Sequence, residues 1–189
     1  MLTLTLRPTT RISHLHDRTM FLVPERLGVP SSVNTMPSLA TTRTAFFPAW
    51  RLYENPVYRL LKEHCGFEGF YILSAGWGLI RSDFLTPAYD ITFSPRSEKY
   101  KHRRKRDSYH DFNMLPEETA EDIVFFGGKD YVGLFCALTE RVRGTRYLWF
   151  NSKVAPKAPG CELRRFHTRT RINWHYECAR AFIAGKIQA

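Results

Sequence analysis

The residues most able to do chemistry cluster between Tyr71 and Ser94, YILSAGWGLIRSDFLTPAYDITFS. The apolar run Tyr71-Ile72-Leu73 breaks at Ser74-Ala75-Gly76-Trp77-Gly78, and Asp83, Pro87, Tyr89 and Asp90 follow. A buried strand that ends in such a loop delivers backbone and polar side chains to one end of a sheet. Gly76 and Gly78 allow a ligand or a second backbone to come close. Asp83 and Asp90 are the carboxylates that can act as general base or electrostatic stabiliser. Pro87 lies between them, so helical spacing cannot put them on one face. Asp83 can equally cap a turn, Asp90 can pair with an arginine, and Tyr89 can stack on a base or sit in the core.

Further polar groups follow other apolar runs. Gly127-Gly128-Lys129 comes after Ile123-Val124-Phe125-Phe126 and can hold an anion at a helix start, or be a plain tight turn. It lacks the phosphate-loop frame, and the Ser74–Gly78 loop lacks the dinucleotide-binding spacing. Asn151-Ser152 ends the run Tyr147-Leu148-Trp149-Phe150. Asn173 and His175, in Asn173-Trp174-His175-Tyr176-Glu177, supply hydrogen-bonding groups at a helix start. His175 and Cys178 share a helix face, but Cys161 and His167 complete no standard zinc spacing, so no metal and no cofactor is expected.

The elements that must position these groups alternate. Asn55-Pro56 starts a helix that Gly66 stops, with Val57, Leu60 and Leu61 at helical spacing. A strand over 70–74, a strand over 123–126 with a helix from Lys129 to about Val142, a strand over 147–150, and a helix from Arg171 to about Gly185 capped by Thr170 complete the pattern. Strands alternating with helices predict a single α/β domain, a mostly parallel mixed sheet covered by helices, with ligands at the carboxyl ends of the strands. There the loops after the three strands, at Ser74, Gly127 and Asn151, can line one crevice. Residues 1–42 predict a poorly ordered or divergent segment in which only Met20-Phe21-Leu22-Val23 reads as a strand, and the folded domain is expected over 43–189.

The chain has 189 residues, 43% hydrophobic and 14% aromatic, enough for one substantial core, and carries a net charge of +10. That excess points to polyanions, nucleic acid before a membrane surface. Arg96, Lys99, Lys101, Arg103, Arg104, Lys105 and Arg106 stand against Glu98 and Asp107, so +5 of the excess lies in one short segment. With Tyr100, His102, Tyr109 and His110 interleaved, the insertion at 95–108 suits phosphate contact and base stacking, or a solvated loop or helix. No signature of sequence-specific readout accompanies it. Cys65, Cys136, Cys161 and Cys178 are widely spaced, which predicts reduced thiols and a cytoplasmic protein. No apolar run approaches the roughly 18 residues a membrane helix needs.

The stretch Leu73-Ser74-Ala75-Gly76-Trp77-Gly78-Leu79-Ile80, followed by Asp83, Pro87, Tyr89 and Asp90, resembles a characteristic block of the YaaA-like proteins. Pro48-Ala49-Trp50-Arg51-Leu52-Tyr53 is similar to that family's lead-in, and Gly127-Gly128-Lys129-Asp130-Tyr131 to a further block of its smaller members. The similarity covers about residues 46–135. The strand and cysteine- and lysine-bearing loop that open most members are not found in residues 1–42. The resemblance implies an α/β protein with DNA affinity and a role in limiting oxidative damage or protecting DNA. Nucleic acid, DNA before RNA, is thus the expected partner, with a base- or nucleotide-sized crevice beside a phosphate-binding arm. The alternative is an enzyme acting on a nucleobase or nucleoside, an N-glycosidase or base-exchange transferase.

Overall fold

The computed structural model describes residues 18–22, 45–104 and 106–188. Most of the 1–42 segment, and Lys105 of the basic run, lie outside the described residues.

The chain is of mixed α/β class. Its elements in order are β1 (Arg18–Leu22), β2 (Phe46–Pro48), α1 (Val57–Cys65), β3 (Phe70–Ser74), β4 (Gly78–Arg81), β5 (Leu85–Pro87), β6 (Phe112–Asn113), β7 (Asp122–Phe126), α2 (Val132–Leu138), β8 (Arg146–Phe150), β9 (Glu162–Arg165) and α3 (Trp174–Ile183). Seven strands form one sheet in the order β6-β4-β3-β1-β7-β8-β9, and β2 and β5 make a separate two-stranded ribbon. From β3 to β9 the neighbours run parallel. β4 turns back antiparallel on β3, and β6 runs with β4.

β3, β7 and β8 are the expected apolar runs, and all five β3 residues are buried, as a strand covered on both sides requires. Consecutive β7 residues point to opposite faces. Phe125 meets Phe135 of α2 with ring centres 4.4 Å apart, and Phe126 meets Phe182 of α3 at 5.6 Å. Those two helices therefore lie on opposite sides of β7. α1 packs beside α3. Asn55 caps α1 as expected, its Oδ1 accepting the Val57 N–H at 3.1 Å.

The structure differs from the sequence reading at identifiable points. β1 pairs with both β3 and β7, so a strand from before residue 43 sits inside the sheet. The strand expected at Met20-Phe21-Leu22-Val23 is β1, at Arg18–Leu22, and it is paired on both sides. The helix expected from Lys129 begins as a 3-10 turn over Lys129–Tyr131 and ends at Leu138. The last helix starts at Trp174 from Asn173, which takes a left-handed φ of 63°, and Thr170 does not cap it. β2, β4, β5, β6 and β9 are additions; each is short or charged and gives no periodic signal.

Candidate nucleic-acid interface

Three of the expected clusters do share one end of the sheet. Ser74 ends β3, and Gly127 and Asn151 directly follow β7 and β8, which run parallel in the sheet. Asp83 does not join them. The β3/β4 hairpin pairs Ser74 with Gly78 but Arg81 with Tyr71, so Asp83 lies past the start of β3, at the opposite end. Its carboxylate is held by the Arg81 guanidinium through bonds of 2.6 and 2.9 Å.

Ser74 is fully buried and its hydroxyl oxygen is committed. It accepts the N–H groups of Gly76 and Trp77 at 3.0 and 3.1 Å and the Tyr89 hydroxyl at 2.7 Å. The Tyr89 hydroxyl also lies 2.6 Å from that of Tyr53. Burial pushes the Tyr53 and Tyr89 phenols above their ordinary value, so this chain of hydroxyls stays neutral at physiological pH. Gly76 lies under the Tyr89 ring. Gly78 has a φ of +81°, and a Cβ there would come within 2.8 Å of the Phe112 backbone nitrogen. Ser74, Gly76, Gly78 and Tyr89 therefore build the strand end and have little left for a ligand. Tyr89→Phe should destabilise the fold by about 1–2 kcal/mol by leaving the Tyr53 hydroxyl without its partner and removing one of the three bonds to Ser74. A urea titration of both proteins reads this, and an unchanged midpoint contradicts it.

Within the basic segment Lys101, Arg103 and Arg104 are ion-paired and Arg103 is buried, so these three already have partners inside the chain. Lys101 sits between Asp90 at 2.8 Å and Glu98 at 3.1 Å, and both carboxylates raise its pKa. Arg103 is only 7% exposed. It grips both Asp111 oxygens at 2.6 Å, donates to the Ala75 carbonyl at 3.0 Å, and lies 4.2 Å over the Tyr109 ring. Arg104 pairs with Asp107 at 2.8 Å. Arg96, Lys99 and Arg106 are exposed and have no ion pair among the described residues. A basic run with acidic residues at close spacing folds on itself, because a charge that loses water must gain a partner.

The other expected binding groups are dispersed. Gly127 is buried, while Gly128 and exposed Lys129 open the 3-10 turn. His175 is buried, its ring centre 4.2 Å from that of Tyr176. The Asn173 Oδ1 is buried without a hydrogen bond among the described residues. Ser152 turns onto its own loop, donating to the Val154 carbonyl.

Asn151 belongs to an open cavity of about 410 Å³ at the carboxyl ends of β8 and β9, lined also by Arg165, Phe166, His167, Thr168 and Arg169. Its walls are fixed by neutral contacts and one carboxylate. Asn151 Nδ2 donates to the Thr170 carbonyl at 3.3 Å. Glu177 of α3 accepts the Thr168 hydroxyl at 2.7 Å and the Thr170 hydroxyl as well, and these bonds hold its carboxyl below the usual range. Arg165 and Arg169 are exposed and make no ion pair among the described residues. The sequence reading missed this loop, although its signal was present. Arg164, Arg165, Arg169 and Arg171 fall within eight positions, and no acidic residue occurs between Leu163 and Tyr176.

Among the described residues no helix is long and apolar enough to cross a membrane, and no group of three His, Cys, Asp or Glu side chains could hold a metal. No protein family, curated protein or solved structure matches the chain.

Proposed function

We propose that this protein binds nucleic acid, DNA in the first instance, with backbone phosphates seated in the cavity behind β8 and β9. The observation that carries this reading is the pair Arg165 and Arg169 on one cavity rim with Thr168, His167 and Asn151, without a facing carboxylate ion-paired to them. A guanidinium fork matches phosphate oxygens, and hydroxyl and amide donors complete the shell. Exposed Arg96, Lys99 and Arg106 add weaker contacts along the strand. The resemblance to YaaA-like proteins supports the same reading. The base-processing alternative draws on no specific observation, since Asp83 and Asp90 stand apart, each in an ion pair.

The test is the salt dependence of oligonucleotide affinity. Removing one phosphate-binding cation lowers the slope of log affinity against log salt by about 0.7–0.9. The double variant Arg165→Gln/Arg169→Gln should therefore flatten the slope by roughly 1–2 and weaken binding about tenfold or more at moderate salt. An unchanged slope contradicts the assignment. Running RNA of the same length beside DNA decides between them.

A further inference from the structure

We propose that Cys136 and Cys161 form a reversible dithiol–disulfide site whose substrate is a small-molecule disulfide. Cys136 lies in α2 and Cys161 immediately before β9, and both are free and half-buried. Their Sγ atoms are 3.9 Å apart, a gap that must close to about 2.05 Å when the bond forms. The approach is built into the backbone. Arg146 of β8 is buried. Its guanidinium donates to the Cys136 carbonyl at 3.4 Å, and to the Pro159 and Gly160 carbonyls at 2.9 and 3.2 Å, in the two residues that precede Cys161. One fixed cation thus holds both segments that carry the thiols. This inference does not depend on the nucleic-acid reading.

The two thiols play different parts. The two sulfurs are in hydrogen-bonding contact, and this contact together with the charge of Arg146 lowers Cys136 to about 7. Cys161 is pushed up in turn and keeps its proton. Cys136 thiolate is therefore the attacking group. It forms a bond to one sulfur of the small disulfide, whose S–S bond breaks and releases a thiolate that takes up a proton. Cys161 then gives up its proton and attacks the Cys136 sulfur of the mixed disulfide, expelling the second small thiol. The protein dithiol loses two electrons, and the small disulfide gains them as two thiols. Cys65 and Cys178 are buried, and burial raises both thiols, so they stand outside the exchange.

The experiment treats the reduced full chain with oxidised glutathione and maps the products by mass spectrometry. The expected product is a peptide pair linking Cys136 to Cys161. Cys161→Ser should accumulate one glutathione on Cys136, and Cys136→Ser should react about tenfold more slowly. On the unsubstituted reduced chain, limited alkylation should label Cys136 before the other cysteines, with a rate that rises as pH passes through about 7. Glutathione adducts on the unsubstituted chain without the Cys136–Cys161 link would overturn the proposal, as would first alkylation at Cys161, Cys65 or Cys178.

Discussion

Arg146→Met should lower the stability of the protein by about 3–5 kcal/mol in urea unfolding, although no carboxylate partner is stranded by it. Arg146 is 9% exposed, and its hydrogen bonds all go to neutral oxygens. It donates to the carbonyls of Cys136, Thr139, Pro159 and Gly160 and to the Thr139 hydroxyl, at 2.9 to 3.4 Å. These acceptors come from the end of α2 and from the loop before β9, so one side chain joins two connections that flank β8. Methionine replaces the aliphatic stem and leaves the acceptors facing an apolar group. Gly160 should behave as the partner of this site. It has a φ of +70°, and a Cβ there would collide with the guanidinium, so Gly160→Ala combines backbone strain with displacement of the same group. A midpoint for Arg146→Met within experimental error of the parent would contradict the account.

Arg103→Met should cost a similar amount, about 3–5 kcal/mol, because it leaves Asp111 without its counter-ion at a side chain 14% exposed. The same substitution also strips the Ala75 carbonyl of its donor, loosening the loop that follows β3. The accompanying expectation concerns binding. At temperatures where the variant is folded, its salt slope with an oligonucleotide should match the parent, since a guanidinium already bound to a carboxylate releases no counter-ion from phosphate. The double variant Arg103→Met/Asp111→Leu should recover much of the stability, because an apolar pair replaces a buried ion pair without stranding a charge. A lowered slope with unchanged stability would restore Arg103 to the phosphate-binding role that its sequence context suggests.

These cases show what the sequence carries and what it hides. β3, β7 and β8 were legible because strands buried on both faces read as unbroken apolar runs, and α1 because Asn55, Pro56 and Gly66 mark its ends. The hairpin was not, since the turn after Ser74 has no two-residue signature and β4 is short. Missing it put Asp83 in the wrong place, as a reversed strand returns a residue to the end from which the chain came. The basic segment was legible as a run of charge, but not which of its cations are paired. Charge counting along the chain does not reveal that Asp90 and Asp111, outside the run, bind Lys101 and Arg103. The arginine loop after β9 was overlooked for the converse reason. Its charges are fewer, yet the fold places them at a strand end, with no ion pair for Arg165 or Arg169 among the described residues, where the earlier run is partly neutralised.

The central claim is that phosphates enter the cavity bounded by Asn151 and the Arg165–Arg169 loop. Photocrosslinking a 5-bromouracil-substituted oligonucleotide to the full chain, then locating the adducts by mass spectrometry, tests it most directly. The account predicts adducts concentrated in the loop, at Phe166 or His167, and abolished when Arg165 and Arg169 are both changed to Gln. Adducts confined to Tyr100, Tyr109 and their neighbours, unaffected by that double substitution, would contradict it.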